Sequence, residues 1–406
     1  MISLFFLWAL TGNLLPSLIP HLKKACQLND FQSAFIDSAY WIAYFLVAIP
    51  AAIFMKRTSY KTGIIAGLVI AAVGAICFYP AADARQFSLF LGALFLIATG
   101  MTFLETAANP YISILGDEKT SAQRLNFAQA FNGLGAFVAA AFLSRIVLSG
   151  TEHTEEQIAS MAANGQLQQY LASEADRVKL PYLAIAAVLL LVAVLIYLVK
   201  LPEVKEEKET SFKLDFSVFR LPHFRNAVIA QFFYVGAQVC VSSFFIRYSR
   251  FSANMAETEA THYLGYLLLC FMIGRYVGTF LMQKIAPNVL LTIYSAINVL
   301  LLIYIVAVGG RVGVYAFLGV EFFMSIMFPT IFALGIKNLG SHTKMASSYL
   351  VMSIVGGALI PLALGYISSE VNIQVAYAVP LVCFVVIFFY GWKGYQVKTA
   401  PGLTTA

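Results

Sequence analysis

Charged side chains are scarce in this sequence of 406 residues, because Asp, Glu, Lys and Arg together make up only 11% of it. Soluble globular proteins carry about 25% charged residues, whereas 60% of this chain is hydrophobic and its mean hydropathy is +0.80. A chain of this length cannot cover a water-facing surface with so few polar groups. The composition therefore argues against a soluble enzyme and predicts a protein surrounded mostly by lipid.

Cysteine is also rare, and the five cysteines are scattered along the chain and odd in number. Four of them lie inside apolar runs, so neither a disulfide framework nor a CxxC metal pattern follows. A Walker A motif, a zinc-ligand cluster and a Ser/His/Asp arrangement are all missing from the sequence. We therefore expect no cofactor, no metal site, no catalytic residues and no ATP-driven pump.

Long apolar runs are abundant, and residues 181–199 form one that contains no charge. At about 1.5 Å per residue, such a run spans a hydrocarbon core of roughly 30 Å. The pattern predicts an all-α membrane protein with twelve transmembrane helices, at roughly 1–22, 31–55, 62–80, 88–115, 123–148, 181–199, 224–250, 260–284, 288–306, 311–337, 343–369 and 372–395. The polar run at 200–223 is a central loop between two six-helix bundles, predicted at 1–199 and 224–406.

Lysine and arginine are unevenly distributed among the predicted loops. If both termini are inside, fifteen lie in cytoplasmic loops and seven in outside loops, and four lie within helices. Because positive charge favours the cytoplasmic side, we expect a multi-pass protein with both termini cytoplasmic. This topology accounts for the net charge of +6, so no nucleic-acid partner is needed to explain it.

The two predicted bundles show weak internal symmetry. Helix 4 contains Pro110 and is followed by a helix that carries GLGA at 133–136. Helix 10 contains Pro329 and is followed by a helix that carries GGAL at 356–359. Repeated halves with a binding site between them near the midplane are typical of secondary transporters.

Glu105 is an acidic residue inside a predicted span. A charge near the bilayer centre costs about 2.5–3.5 kcal/mol or more, and by the rise of a helix Glu105 lies about 25 Å along helix 4, just past the middle. Asn109 follows one turn later on the same face. A carboxyl group that faces a central cavity can form a hydrogen bond with a substrate hydroxyl or carry a proton. The alternative is a structural acid paired with an arginine.

A stripe of amides runs along helix 5, where Asn126, Gln129 and Asn132 recur at three-residue spacing. Amides both donate and accept hydrogen bonds, which suits a polyhydroxylated ligand, and Gln129 and Asn132 are the stronger candidates. The alternative is hydrogen bonding between helices. Asn13 in helix 1 is a further candidate for the cavity wall.

An acid beside aromatic rings marks helix 2, where Asp37 is followed on the same face by Tyr40, Trp41 and Tyr44. Ring faces pack against sugar C–H groups, so this face can line a sugar path. The alternative is an acid that is hydrated in an outer vestibule.

Glu321 lies close to the midplane of helix 10, and it also has two interpretations. It binds substrate, or it is a structural acid with Arg247 or Arg275 as its counter-ion. Arg275 itself is expected to brace helices rather than to contact substrate.

Several motifs identify a family resemblance across nearly the whole chain. LETAANP at 104–110, RLN-x-AQ-x-FN-x-xGA at 124–136, GR-x-xGT at 274–279 and FPTIFALGIKNLG at 328–340 resemble the fucose–galactose–glucose:proton symporter family of the major facilitator superfamily. The resemblance implies a carrier of the bacterial inner membrane that alternates between outward-open and inward-open states. It also implies a functional monomer that binds a sugar between its two halves.

The resemblance also carries residue roles. An acid important for proton coupling and sugar binding falls on Glu105, and family amides fall on Asn13, Gln129 and Asn132. A second family acid, on helix 1, is replaced by Pro16. Asp37 lies at the same depth on helix 2, and we hypothesise that it has taken over the missing role.

The sequence therefore predicts proton symport of a monosaccharide, either L-fucose or another hexose or hexose derivative. Glu105 and Asp37 are the predicted proton-coupling residues. The predicted substrate-binding residues are Glu105, Gln129, Asn132, Asn13, Asn109, Tyr40, Trp41 and Glu321. The alternatives are a sodium-coupled symporter, an uncoupled uniporter and, in another class, a membrane sugar sensor that does not transport.

Overall fold

In the computed structural model, residues 2–12, 30–139, 160–161, 163–176, 179–202 and 216–397 are described. Of residues 11–12, 30–40 and 174–175 only the backbone is described. The regular secondary structure in these ranges is helical throughout. Asn13 and Pro16 therefore lie outside the described residues, and for Asp37 and Tyr40 only the helical backbone is known.

The described ranges contain seventeen α-helical segments. In chain order they are α1 Ile2–Gly12, α2 Asp30–Arg57, α3 Tyr60–Ala84, α4 Phe87–Ile114, α5 Ser121–Val138, α6 Leu167–Asp176, α7 Lys179–Leu198, α8 Pro222–Ser243, α9 Phe245–Ala253, α10 Glu257–Leu281, α11 Pro287–Ala307, α12 Gly310–Met324, α13 Met327–Gly335, α14 Thr343–Met352, α15 Gly356–Glu370, α16 Ile373–Ala376 and α17 Ala378–Phe389.

Ten of the twelve predicted spans lie within the described ranges, and each coincides with one of these helices or with consecutive helices of one span. The predicted spans at 1–22 and 123–148 are described only as far as residues 12 and 139, and both begin as helices there. Eight helical spans in the described ranges are long and apolar enough to cross a membrane, and a ninth is formed by α8 and α9 together. The axes of α8 and α9 differ by 54°. Predicted helix 10 is likewise divided into α12 and α13, and predicted helix 11 into α14 and α15.

Local chemistry sets several helix ends. The Ser59 hydroxyl accepts a hydrogen bond from the backbone N–H of Thr62 at 3.1 Å, which caps the start of α3. Arg85, with a φ of 47°, terminates the same helix in the left-handed conformation. Pro222 and Pro287 occupy the first position of α8 and α11, where a missing N–H costs nothing.

Close backbone packing joins α3 to α4. A Cβ atom at Gly100 would lie 2.5 Å from the backbone nitrogen of Ala71 and from the carbonyl oxygen of Gly67. These distances leave room only for a glycine hydrogen. Small residues that allow helices to approach closely are a common device where lipid removes the hydrophobic drive for helix pairing.

Gly100→Val is expected to lower the melting temperature of the purified protein, because the added side chain meets backbone atoms that cannot move aside. Overpacking of this kind costs about 1–3 kcal/mol. Gly92→Val is the matched control on the same helix, since nothing lies within 4 Å of a Cβ there. Thermal unfolding in detergent compares the two, and equal melting temperatures would contradict the packing described for α3 and α4.

The two groups of helices, α1–α7 and α8–α17, contact each other through a limited set of elements. The main contacts are between α2 and α14, α5 and α10, and α5 and α13. We call the end of the bundle where α4 ends and α5 begins the central-loop end, because α7 ends and α8 begins there as well. At that end the Lys61 ammonium donates to the carbonyls of Tyr197 and Val199 at 2.8 Å, which ties α3 to the end of α7.

Candidate functional site

Glu105 lies on the buried face of α4, and its side chain is 8% exposed. The Tyr44 hydroxyl of α2 donates a hydrogen bond to its Oε1 atom at 3.3 Å. Its Oε2 atom has no hydrogen-bond partner in the described part of the chain, and no described lysine or arginine forms an ion pair with it. The described contacts therefore do not support the alternative in which Glu105 is a structural acid paired with an arginine.

Asn109 and Gln129 form a buried amide pair beside Glu105. Asn109 follows Glu105 by four residues and shares its face of α4. The Gln129 amide nitrogen of α5 donates to the Asn109 side-chain oxygen at 3.0 Å. The amide nitrogen of Asn109 has no partner among the described residues. The structure thus brings together an unpaired carboxyl oxygen and an unused N–H donor on one face of α4.

The other two amides of the stripe on α5, Asn126 and Asn132, lie in different environments. The Asn126 side-chain nitrogen donates to the Ala122 carbonyl at 2.8 Å and to the Thr330 hydroxyl of α13 at 3.0 Å. This is the helix-to-helix hydrogen bonding that the sequence offered as its alternative for the stripe. Asn132 is partly exposed and lies three residues beyond Gln129 on α5, so its predicted role in sugar binding stays a prediction.

Arg275 joins the two groups of helices in the interior of the bundle. It is 4% exposed, and its Nη1 atom donates to the backbone oxygen of Gln129 at 2.7 Å. Its Nε atom donates to the carbonyl of Ser325, between α12 and α13, at 2.8 Å, and the Phe271 ring centroid lies 4.6 Å from its guanidinium. These contacts are those of a brace, as the sequence predicted.

Glu321 lies on α12 with a side chain that is 2% exposed. Its Oε1 atom accepts a hydrogen bond from the Ser242 hydroxyl of α8 at 3.0 Å. Within the described ranges it forms no ion pair with Arg247 or Arg275, so the suggested counter-ions are not in place. Its predicted role in substrate binding stays a prediction.

Trp41 extends from α2 toward the second group of helices. A Cβ atom at Gly357 would lie 2.9 Å from the Cη2 atom of Trp41, so the indole packs on the backbone of α15. The side chain remains partly exposed. This placement is compatible with a ring that contacts a ligand between the groups, and that role stays a prediction.

Two contacts at the central-loop end were not anticipated from the sequence. The Lys337 ammonium lies 3.7 Å from a carboxylate oxygen of Glu118, and the Lys344 ammonium lies 5.0 Å from the centroid of the Tyr60 ring. Both connect α1–α7 with α8–α17. For Lys337 and Glu118, the available sequence signal was opposite charge in two short loops. Charge alone does not identify partners more than 200 residues apart.

Comparisons with known proteins agree with this architecture. The family model described as Major Facilitator Superfamily matches residues 1–361. The chain is 43% identical over 405 residues to the L-fucose-proton symporter of Escherichia coli strain K12, covering 98% of this chain and 92% of that protein. It is 39% identical over 394 residues to a glucose/galactose transporter of Brucella abortus biovar 1 (strain 9-941), with 96% and 92% covered. The crystal structure of the transporter FucP in the outward conformation superposes with a TM-score of 0.90, at 42% identity and 98% coverage of both chains.

Proposed function

Because the chain belongs to the Major Facilitator Superfamily, with twelve transmembrane helices in two six-helix halves, we propose that it imports a hexose by proton symport. The relatives are named as transporters of L-fucose with protons and of glucose and galactose, which supports a substrate of that class. The proposed domain limits are 1–199 and 224–406, with 200–223 as the central loop. The proposed location is the bacterial inner membrane.

The observation that carries the proposal is the unpaired carboxyl oxygen of Glu105 beside the amide pair of Asn109 and Gln129. A carboxyl group with no counter-ion can bind and release a proton without breaking an ion pair. Adjacent amides can donate to and accept from the hydroxyl groups of a sugar. We propose that Asn132, Asn13, Tyr40 and Trp41 complete the sugar site, as the family resemblance and the helix faces suggest.

The contacts between the two halves indicate which end of the bundle is closed. The side chains of Arg275, Asn126 and Lys337 each join the two halves toward the central-loop end. We propose that this end is cytoplasmic, with both termini on the same side, and that it is closed here. Similarity to an outward-conformation structure supports this assignment.

The proposed cycle follows from this geometry. Glu105 takes a proton from the outer cavity, the sugar binds against Glu105, Asn109 and Gln129, and the halves rock. The central-loop contacts then separate, and sugar and proton leave to the cytoplasm. A ligand can shift the equilibrium between the two states only by its difference in affinity for them. The proton and the sugar must therefore together favour the conversion from one state to the other.

Uptake into proteoliposomes tests the proposal against its alternatives. The purified protein is given labelled L-fucose, D-galactose and D-glucose, first with an inward proton gradient and then with an inward sodium gradient. Accumulation in the proton arm alone supports proton symport, and accumulation in the sodium arm alone establishes sodium coupling. Equilibration in both arms establishes a uniporter. Absence of counterflow for every sugar that binds would establish a sensor.

Asp37→Asn is expected to reduce proton-driven accumulation, because we propose that Asp37 replaces the family acid that is absent at Pro16. With one proton per sugar, a gradient of one pH unit supports about tenfold accumulation, since about 1.4 kcal/mol is a factor of ten. The variant should fall well below the wild-type ratio in the same vesicles. Full retention of concentrative uptake would remove Asp37 from the coupling mechanism.

A further inference from the structure

Glu321 is a second deeply buried carboxyl group, and it lies in the opposite half of the protein from Glu105. Its one described hydrogen bond comes from the Ser242 hydroxyl at 3.0 Å. No cation in the described chain lies within ion-pairing distance. Taking a carboxylate out of water without a counter-ion is costly, and a bound proton removes that cost. The site is therefore chemically suited to hold a proton.

Among the described residues, the ionisable groups that face Glu321 are all neutral in their ordinary protonation state. They are Tyr234 on α8, Cys270 on α10 and Tyr377 between α16 and α17. The guanidinium of Arg275 is directed at the carbonyls of Ser325 and Gln129 instead, and Arg247 is exposed. No charged group in the part of the chain that the structure describes thus substitutes for the proton.

The position of Ser242 gives this proton a structural consequence. Ser242 is the next-to-last residue of α8, and the chain turns through 54° before α9 begins. The hydrogen bond from Ser242 therefore attaches the end of α8 to α12 at the break. A hydroxyl donor bonds a carboxylate more strongly than a neutral carboxyl group, so gaining or losing a proton at Glu321 changes the attachment at this bend.

We propose that Glu321 is a second proton-binding site, which binds and releases a proton as the angle between α8 and α9 changes. The proposal rests on the proposed function, because it adds a site to a proton-coupled carrier. The family resemblance implies a proton-binding acid on helix 1, and this chain has Pro16 at that position. Glu321 offers another location for that proton. The proton comes from water, adds to a carboxylate oxygen of Glu321 and returns to water, so no other reactant is needed.

The first arm of the test needs no sugar. Infrared difference spectra between acidic and alkaline pH are recorded for the full chain in liposomes, and the carbonyl band of protonated carboxyl groups is followed. The wild type should show a component that Glu321→Gln lacks and that Glu370→Gln retains, since Glu370 is an exposed residue at the end of α15. Ser242→Ala should keep the component and change the midpoint of its titration. A band unchanged by Glu321→Gln would overturn the site.

The second arm measures transport with L-fucose, D-galactose and D-glucose as probes. Glu321→Gln should reduce sugar-driven proton uptake at least about tenfold, the factor that corresponds to about 1.4 kcal/mol, while counterflow falls much less. A lower sugar affinity at every pH with normal proton uptake would assign Glu321 to sugar binding and overturn the inference. A wild type that binds sugar but takes up no protons would instead overturn the proposed function, and the infrared arm would still decide whether Glu321 titrates.

Discussion

Glu105→Gln is expected to abolish proton-driven accumulation of sugar while exchange of sugar across the membrane continues. The amide has nearly the same shape and can still accept the hydrogen bond from Tyr44, but it cannot take up and release a proton. In vesicles with a gradient of one pH unit, the accumulation ratio should fall from about tenfold to about one, since the driving force is about 1.4 kcal/mol. Counterflow of labelled sugar measures the exchange that remains.

Tyr44→Phe is the matched control for this prediction. It removes the hydroxyl that donates to Glu105 but leaves the carboxyl group in place, so accumulation should persist. If Glu105→Gln accumulates sugar with an unchanged dependence on pH, then Glu105 is not the coupling residue. If Tyr44→Phe and Glu105→Gln lose accumulation equally, the hydrogen bond rather than the proton is the essential feature.

Arg275→Leu is expected to shift the protein toward the state in which the central-loop end is open. The hydrogen bond from Arg275 to the Gln129 backbone oxygen joins the two halves, and a bond from a charged donor contributes about 1.5–3 kcal/mol. Removing it should therefore change the ratio of the two states by about 10- to 150-fold, at about 1.4 kcal/mol for each factor of ten. The effect is on the equilibrium between states and not on the chemistry of sugar binding.

Spin labels on opposite halves measure this shift. Lys119 and Ser341 are both exposed near the central-loop end, so a nitroxide on each reports the distance between the halves there. Arg275→Leu should add a longer distance, and Arg275→Lys should give an intermediate population because it keeps the charge without the forked donors. Arg250→Leu, at an exposed site that pairs with Glu257, should leave the distances unchanged. An unchanged distribution in Arg275→Leu would show that this contact does not hold the closed state.

Burial of the intramembrane acids and the helix face they occupy were predictable from the sequence. The constant rise of a helix places Glu105 and Glu321 near the midplane, and the structure buries both. The four-residue spacing of Glu105 and Asn109 puts them on one face of α4. These inferences succeed because they depend only on local geometry, which periodicity reports directly.

Partners across helices were not predictable in the same way. Gln129 meets Asn109 through packing of α4 on α5, and Arg275 reaches Gln129 from 146 residues away. Periodicity indicates that a residue faces inward but not which residue of another helix it meets. For the same reason, the suggested pairing of Glu321 with Arg247 or Arg275 followed from depth alone, and the structure shows Ser242 as its partner.

The break between α8 and α9 has no sequence signal of the usual kind. Kinks are commonly caused by proline, by glycine or by an inserted side chain or water, and residues 237–250 contain neither proline nor glycine. Hydrophobicity is continuous through Phe244, which is why 224–250 was predicted as one span. Tertiary contacts hold the chain beyond the bend, where Phe245 packs against Phe317 and Tyr248 donates to the Ile305 carbonyl.

Sugar-driven proton uptake by the wild-type protein tests the central claim most directly. Proteoliposomes are suspended in weakly buffered medium without a gradient, and L-fucose, D-galactose or D-glucose is added while the external pH is recorded. Proton symport predicts that the medium becomes more alkaline with at least one of these sugars, that a protonophore abolishes the change, and that Glu105→Gln does not produce it. Sugar entry with no change in external pH would contradict proton coupling.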